Sequence, residues 1–330
     1  MLPFPAGCSI INSIAFFIHD IIKNMPNIST CALLIPTYNA GKKWPEVLAS
    51  IDKQIALISR KIIIDSGSKD NTVALAKAHG FEVFRTTSSQ FNHGGTRQRL
   101  VDESADADVC VFLTQDAILT DENSLSNIVC VFNDPEVGMA YGRQLPHIDA
   151  KPLEIHARVF NYPENSHIIS IADQPALGFK AFFCSNSFAA YRKNALNAIG
   201  GFPTTSIMGE DAIVAAKMLK AGYKKAYVAE AMVRHSHSYS LLEEYRRYFD
   251  TRVFHEQNIW MLEEYGKPTG EGLKFIRSEI SYAIKKSPVS LFRSISSIFA
   301  KWLGYNSARF YKIMPLFLIK KFSMHSFYWK

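Results

Sequence analysis

This sequence lacks several features that mark other protein classes, and each absence narrows what the chain can be. Its five cysteines include no CxxC pair, so we expect buried, reduced thiols and no disulfide framework. No GxGxxG sequence follows the first apolar strand pattern, which argues against a dinucleotide-binding oxidoreductase. Fixed-period repeats and low-complexity runs are also missing. A content of 48% hydrophobic and 20% charged residues is that of a globular protein with a substantial core.

The N-terminus lacks the basic residues that open a secretory signal. The first 22 residues contain no Lys or Arg, whereas a signal peptide begins with a basic segment. His19 and Asp20 interrupt the apolar run, which is then too short for a confident membrane span. We therefore expect residues 1–28 to form an apolar extension. Residues 1–24 either touch a membrane or reflect an upstream start site, and the sequence does not separate these alternatives.

The first 270 residues carry no net positive charge, and the excess lies near the C-terminus. Of the net charge of +7, residues 271–330 contribute eleven Lys and Arg against two Glu, interleaved with Phe, Trp, Tyr and Leu. This mixture predicts a basic amphipathic helical tail, residues 266–330, that lies on an anionic membrane surface without crossing it. A basic helical cap on the rest of the protein is the alternative. Nucleic-acid binding is not expected, because no nucleic-acid motif accompanies the charge.

Three buried strand patterns each end in a turn of small or polar residues, within Cys31–Gly41, Lys61–Thr72 and Asp108–Ala117. Strand and helix patterns alternate between residues 29 and 144, which predicts a doubly wound, mostly parallel α/β sheet with helices on both faces. Ligands of such sheets bind outside the carboxyl ends of the strands. Residues 145–185 follow no regular period and are interpreted as substrate-facing loops. The pattern of residues 241–265 predicts the start of a long helix.

Four further segments, together with these turns, resemble the motifs of a known family. They are FNHGGTRQ (Phe91–Gln98), LTQDA (Leu113–Ala117), Glu210-Asp211 and VRHSHS (Val233–Ser238). With them the chain resembles the inverting family 2 glycosyltransferases, which have a GT-A fold. FNHGGTRQ and LTQDA are most similar to the bacterial rhamnosyltransferases of that family. The resemblance implies a glycosyltransferase domain over residues 29–265, with a nucleotide-binding half (29–144) and an acceptor-binding half (145–265).

The resemblance places the nucleotide-sugar donor at the ends of the first strands. The residues that it implies for donor binding are Pro36, Thr37, Tyr38, Asn39, Asp65, Ser66, Gly94, Gly95, Arg97, Gln115 and Asp116. Ser66 and Gln115 depart from the family pattern, because acids are usual at both positions. Arg97 is expected to face the nucleotide, and Gly94 with Gly95 to allow close approach of the backbone.

A divalent cation, Mg²⁺ or Mn²⁺, is the expected cofactor, because a metal that bridges the donor phosphates acts as a Lewis acid. The resemblance makes Asp116 the carboxylate in the metal-facing position, and oxygen ligands suit both ions. A histidine often completes the metal shell in related enzymes. His237 is the preferred ligand and His235 the second choice, since both lie on one face of a strand.

The acceptor hydroxyl needs a base, and a carboxylate poised beside it contributes roughly 10²- to 10⁴-fold in rate. Glu210-Asp211 opens a helical pattern and matches the base motif of the family. We expect Asp211 to be the base, Glu210 to be the second candidate, and Asn186 to lie with them on the acceptor side. One direct displacement would invert the anomeric centre without a covalent intermediate.

Together these inferences predict transfer of L-rhamnose from dTDP-L-rhamnose to a polyprenyl-diphosphate-linked oligosaccharide, as in bacterial O-antigen or surface-polysaccharide assembly. The tail then predicts a peripheral protein on the cytoplasmic face of the cell membrane. A UDP-hexose or UDP-N-acetylhexosamine donor is the alternative within the family. A nucleotidyltransferase would need a Gly-rich loop after the first strand, and an inactive membrane-associated scaffold is left open by Ser66 and Gln115. The sequence does not indicate the oligomeric state.

Overall fold

The computed structural model describes residues 30–56, 58–266 and 270–330, and nine strands in these ranges form one sheet. The strands are β1 (Cys31–Thr37), β2 (Arg60–Asp65), β3 (Glu82–Arg85), β4 (Val109–Leu113), β5 (Ile118–Leu119), β6 (Val137–Leu145), β7 (His167–Ile169), β8 (Phe188–Arg192) and β9 (Lys224–Arg234). Their order is β3-β2-β1-β4-β8-β6-β9-β5, and β7 pairs with β9 outside this path. The extension predicted over residues 1–28 lies outside the described residues.

Helices connect these strands and continue beyond the sheet. They are α1 (Trp44–Asp52), α2 (Thr72–Ala78), α3 (His93–Glu103), α4 (Ser124–Cys130), α5 (Pro152–Asn161), α6 (Gln174–Leu177), α7 (Lys193–Ala198), α8 (Glu210–Lys220), α9 (Leu241–Gln257), α10 (Ile259–Tyr265), α11 (Glu271–Lys286), α12 (Ser290–Ser307) and α13 (Leu316–Phe322). Short 3₁₀ turns lie at Gly41–Lys43, Val131–Asn133, Ile171–Asp173, Gly178–Phe182, Ala308–Ile313 and Ser326–Tyr328.

The sheet has a hydrophobic core on each face. Its central strand β1 is apolar and buried from Cys31 to Ile35, as expected of a strand that helices cover on both sides. One core includes residues of α1, α2 and α4. The other includes residues of α3, α8 and α9. The predicted α/β class, with helices on both faces of the sheet, is confirmed.

The sheet is mixed, however, and less parallel than the alternating pattern predicted. β1 is parallel to β2 and β4, and β3 continues this parallel half. β8 runs antiparallel to both β4 and β6, and β5 and β7 run antiparallel to β9. Alternation along the chain indicates strand positions, but it does not determine the direction of a strand that enters after an irregular connection, as β8 does.

Two segments differ from their predicted structure. Residues 145–185, predicted as loops, contain α5 and β7. The helix predicted to begin at residue 241 ends at Gln257, because Asn258 leaves the helical region with φ −118° and ψ 46°; α10 then begins at Ile259.

Helices α11, α12 and α13 form the predicted helical tail and pack on the rest of the protein. Ser294 Oγ of α12 donates to Glu279 Oε1 of α11 at 2.6 Å, and Tyr245 Oη of α9 lies 2.8 Å from Ser307 Oγ. Among the helices that the structure describes, none is both long and apolar enough to cross a membrane. The divisions at residues 28, 144 and 265 stay predictions.

Candidate active site

Asp116, His235 and His237 meet at one end of the sheet. Asp116 lies between β4 and β5, and β5 pairs with the end of β9 so that Ile118 lies opposite Arg234. The two histidines directly follow β9. His235 Nε2 lies 3.5 Å from Asp116 Oδ1, and His237 Nε2 lies 3.8 Å from Asp116 Oδ2. The pairing of β5 with β9 therefore brings together residues from distant parts of the chain.

These three side chains fit a divalent cation. One ligand atom from each lies within 4.8 Å of the others, a spacing that one ion can bridge. Burial lowers the pKa of His235 to about 3 and also lowers the pKa of His237, so both rings are neutral near pH 7, the form that binds metals. Two imidazoles and one carboxylate form a mixed nitrogen and oxygen set. Such a set suits Mn²⁺ better than Mg²⁺, which prefers oxygen ligands.

Gln144, near the end of β6, orients the ring of His235 and was missed in the sequence. Its Oε1 lies 3.0 Å from His235 Nδ1, and its Nε2 donates to Ser185 Oγ at 2.9 Å. Because Oε1 can only accept, Nδ1 carries the proton and Nε2 presents its lone pair toward Asp116. Metal-binding histidines are usually held in this way. A single glutamine in a strand carries no sequence signal for such a role.

Glu210 and Asp211 open helix α8 directly after Gly209. Gly209 has φ +71°, and a Cβ there would lie 2.8 Å from the Phe254 ring, so the turn requires glycine. Asp211 Oδ1 accepts from the Ala212 N–H at 2.9 Å, and Asp211 Oδ2 accepts from the Asn186 N–H at 3.2 Å. The turn thereby fixes the Asp211 carboxylate against the loop that precedes β8.

Arg97 lies beside this acidic pair, and its expected place facing the nucleotide stays a prediction. Its Nη1 lies 3.0 Å from Glu210 Oε1, and both side chains are buried. Asn186, expected to contact the acceptor, donates from Nδ2 to the same oxygen at 3.0 Å and accepts from Tyr191 Oη at 2.6 Å. Burial explains the contact between Arg97 and Glu210, since a guanidinium and a carboxylate removed from water must be paired.

The two acids have opposite pKa shifts. Burial, and then the neighbouring Glu210 carboxylate, raise the pKa of Asp211 to about 6. Burial alone would also raise the pKa of Glu210, but Arg97 and His93 outweigh it and hold this pKa below its ordinary value. Glu210 is therefore the anionic partner of Arg97, and Asp211 is the acid that can exchange a proton near neutral pH.

The turn after β2, predicted to bind the nucleotide, is held by its own hydrogen bonds. Asp65 Oδ1 accepts from the N–H groups of Gly67 and Ser68 at 3.1 and 2.9 Å, and Oδ2 accepts from the hydroxyls of Ser68 and Thr37 at 2.5 and 3.1 Å. These bonds engage both carboxylate oxygens, and Thr37, Asp65 and Ser66 are buried. Asp65 and Thr37 therefore shape the turn, and their expected contact with the donor stays a prediction.

Tyr38 and Asn39, between β1 and α1, complete this edge, and Pro36 precedes them within β1. The Tyr38 side chain is 49% exposed, so it is available to a ligand. Gln115 Oε1 accepts from the Tyr38 N–H at 2.8 Å, and Gln115 Nε2 donates to the Tyr38 carbonyl at 3.1 Å. An amide can pair with both sides of a peptide group, whereas a carboxylate cannot donate. This pairing accounts for Gln115 in place of an acid.

Gly94 and Gly95 lie in the first turn of helix α3. There they allow another segment of the protein to pack closely against the helix. A Cβ at Gly94 would lie 1.8 Å from the Pro203 carbonyl oxygen, so only glycine fits between α3 and the loop before α8. The Gly95 N–H donates to Asn92 Oδ1 at 2.8 Å, which caps the helix. The two glycines therefore bring Arg97 to Glu210, and their expected place at the donor stays a prediction.

A cavity of about 1270 Å³ reaches His237 of the metal cluster and Ala212, the residue that follows the acidic pair. His237 and Ala212, the neighbour of Asp211, line one end. Residues of α5, α9, α11 and α12 line the remainder. A volume of this size exceeds that of a typical small-molecule pocket, so the cavity can hold an extended substrate beside the acid and the metal ligands.

Residues 32–200 match the family model for glycosyl transferase family 2. The chain belongs to this family. The O-antigen chain rhamnosyltransferase RfbN of Salmonella typhimurium is 49% identical over 298 residues, covering 90% of this chain and 95% of the relative. The O-antigen chain rhamnosyltransferase WbaN of Salmonella anatum is 46% identical over the same length. The predicted family, its likeness to rhamnosyltransferases and the glycosyltransferase activity are thus confirmed.

A solved structure shows the same fold. The mannosyltransferase PcManGT from Pyrobaculum calidifontis, solved with GDP-Man and Mn²⁺, superposes on this glycosyltransferase with a TM-score of 0.55 at 15% identity. The match covers 97% of this chain and 95% of the other. The likeness bears on the fold alone, and it confirms the predicted GT-A type architecture.

Proposed function

We propose that this glycosyltransferase moves L-rhamnose from dTDP-L-rhamnose to a sugar carried on a polyprenyl diphosphate, with inversion at the anomeric carbon. The observation that carries this proposal is the 49% identity to an O-antigen chain rhamnosyltransferase across 95% of its length. The cavity beside the acidic pair and the metal cluster supports it, because the acceptor, the base and the leaving group must all meet at one place.

Asp116, His235 and His237 would hold the metal, with Mn²⁺ favoured over Mg²⁺ by the mixed ligand set. When bound, the metal would offset the charge that develops on the leaving nucleoside diphosphate. Gln144 keeps the ring of His235 in its ligating orientation. The exposed ring of Tyr38, beside the engaged Gln115 amide, is the proposed contact for the nucleotide base.

Asp211 is the proposed base. Among the described residues, its Oδ2 receives only the long 3.2 Å hydrogen bond from the Asn186 N–H. A nearby acceptor hydroxyl would give its proton to this carboxylate as the new glycosidic bond forms. Asn186 and Arg97 are positioning residues, because they hold Glu210 and so keep its charge beside Asp211. That charge raises the proton affinity of Asp211, which a base near neutral pH requires.

The activity is expected to fall on the acid side with an apparent pKa near 6. Asp211 must be deprotonated to accept a proton, and its pKa is raised to about 6; kcat/KM should therefore drop about tenfold per pH unit below this value and level off above it. The measurement is the rate of transfer between pH 4.5 and pH 8.5 at saturating Mn²⁺. A rate that stays level down to pH 4.5, as an aspartate with its ordinary pKa near 4 would give, would contradict the assignment.

Release of nucleoside diphosphate by the full-length protein tests the donor. The protein is offered dTDP-L-rhamnose, UDP-glucose, UDP-galactose or UDP-N-acetylglucosamine, each with Mn²⁺ and a polyprenyl-linked sugar. Release of dTDP that requires the acceptor is the expected result. Release of UDP would keep the enzyme class and overturn the sugar, and silence with every donor would overturn the proposed pairing of donor and acceptor.

We further propose that the tail lies on an anionic membrane, on the cytoplasmic face where the lipid-linked acceptor would be met. Phe292, Phe299 and Trp302 of α12 are 81%, 59% and 58% exposed, and Ile313 and Phe317 after it are 81% and 70% exposed. Exposed apolar side chains on adjacent helical segments are unusual unless another surface covers them. The surrounding Lys and Arg favour a surface of anionic lipid headgroups.

The double variant Phe292→Glu/Phe299→Glu should lose binding to phosphatidylglycerol vesicles, because it replaces two inserting rings with charges that the lipid repels. Co-sedimentation measures this loss. Ile55→Glu/Ile148→Glu is the matched control, since Ile55 and Ile148 are 63% and 86% exposed and lie outside the tail. Equal binding by the double variant and the control would contradict the membrane surface and leave the tail as a cap.

A further inference from the structure

We propose that the cavity wall formed by α12 binds the diphosphate of the lipid-linked acceptor, at a subsite built around Arg293 and Lys301. This inference rests on the proposed function for the identity of the lipid, but its chemistry is that of a diphosphate bound to two cations. It goes further by assigning a second phosphate-binding place, apart from the metal cluster that faces the donor.

The cavity connects the two places along one wall. The wall starts at His237 of the metal cluster, whose ring lies 5.4 Å from the ring of Tyr239. Arg293 Nη2 of α12 donates to the Tyr239 carbonyl at 2.5 Å, and Arg247 stacks on the Tyr239 ring. All of these residues line the cavity, as does Lys301. A molecule in the cavity can therefore contact the catalytic end and α12 together.

Arg293 and Lys301 have unused capacity for an anion. Arg293 Nη1 is buried without a hydrogen-bond partner among the described residues, and it lies 3.8 Å from Glu244 Oε2. Lys301 Nζ lies 3.9 Å from Glu244 Oε1. Both separations are too long for hydrogen bonds. A diphosphate between these cations would accept the short charge-assisted bonds that Glu244 does not provide.

The other acids at this end of the cavity already have partners. Glu271 pairs with Lys274 at 2.7 Å and with Lys180 at 3.5 Å. Glu279 accepts from the Ser294 hydroxyl at 2.6 Å. Glu271 is therefore paired with cations and Glu279 is held by a hydroxyl, whereas Arg293 and Lys301 share the Glu244 carboxylate at 3.8 and 3.9 Å.

Helix α12 also relates this subsite to the proposed membrane surface. Arg293, Ser297 and Lys301 recur at intervals of four residues and line the cavity. Phe292, Ile295, Phe299 and Trp302 are exposed, and at 100° per residue they fall on the opposite side of the helix. The apolar face of α12 is thus suited to the lipid, and its cationic face to the diphosphate. A polyprenyl-diphosphate-linked sugar carries these two groups side by side.

The test is binding of geranylgeranyl diphosphate, held in neutral phosphatidylcholine vesicles, to the full-length protein. Arg293→Ala/Lys301→Ala should weaken binding about tenfold or more, because two charge-assisted contacts are lost. Lys285→Ala/Lys286→Ala is the matched control, since it removes the same charge from the tail outside the cavity lining; it should bind within about twofold of the wild type. Lys301→Ala alone should show an intermediate loss of affinity. This single variant keeps the proposal testable if the double variant does not fold.

Two further binding experiments distinguish a diphosphate site from a lipid-headgroup site, and the subsite from the proposed donor site. Vesicles of phosphatidylglycerol without the prenyl diphosphate should bind the Arg293→Ala/Lys301→Ala variant at least as well as the Lys285→Ala/Lys286→Ala control, because the control loses two exposed lysines of the tail; a loss specific to the former would mean an ordinary headgroup site and overturn the proposal. Binding of dTDP with Mn²⁺ should be unchanged in both. Equal affinity of all variants for the prenyl diphosphate would also overturn the subsite, whatever the donor assays show.

Discussion

Asp211→Asn is expected to slow sugar transfer roughly 10²- to 10⁴-fold while leaving the fold intact. Asparagine keeps the shape of the side chain and can still accept from the Asn186 N–H, but it cannot take a proton. The pKa of Asp211 is raised to about 6 in the folded protein, so folding favours the neutral form. The stabilisation from the protonated form is present at low pH and lost as pH rises through 6.

The variant should therefore be at least as stable as the wild type at pH 7.5, which thermal unfolding measures beside the rate. Glu210→Gln should behave differently, because it leaves the buried Arg97 without its charge partner and lowers stability together with activity. Asp106→Asn, at an exposed position, is the matched control and should leave both unchanged. An active Asp211→Asn enzyme, or one that is inactive only because it unfolds, would contradict the role of Asp211.

Asp116→Ala is expected to lower the rate roughly 100-fold or more, because a metal in this position supplies several kcal/mol in the transition state. Asp116 is the carboxylate in the cluster with His235 and His237, so its removal leaves two neutral rings. Mn²⁺ binding, followed by electron paramagnetic resonance without any substrate, should weaken in parallel with the rate.

His237→Ala should show a smaller loss of Mn²⁺ affinity than Asp116→Ala, because Asp116 and His235 remain. His167→Ala is the control, since this exposed histidine lies outside the cluster. A variant Asp116→Ala that binds Mn²⁺ as the wild type does would place the metal elsewhere. Full activity of wild-type protein in a chelator would remove the metal from the mechanism.

The sequence was most informative where local pattern and chemistry coincide. Polar residues that follow buried strands predicted the edge at which Asp116 lies. Alternation predicted His235 and His237 on one face of a strand, whereas β9 ends at Arg234 and both histidines follow it. The acidic pair was visible because Gly209 and a helical pattern flank it. The motif resemblance extended these local patterns to a family, and the relatives bear this out over most of the chain.

The remaining features depend on contacts between distant segments. The sequence does not show that α3 directs Arg97 to Glu210, because more than a hundred residues separate the two in the chain. Gln144 orients His235 only because β6 and β9 pair. Asp65 carries the pattern of a binding residue, yet its hydrogen bonds are used inside the turn. Strand order and burial determine the partners of each of these side chains, and the local sequence predicts neither.

The anomeric configuration of the product tests the central claim most directly. The claim is a single displacement in which Asp211 deprotonates the acceptor and no covalent intermediate forms. The product of the wild-type enzyme with dTDP-L-rhamnose and a prenyl-diphosphate-linked sugar would be examined by nuclear magnetic resonance. A new linkage with the configuration opposite to that of the donor is the predicted result, and a linkage with the donor's own configuration would contradict the claim.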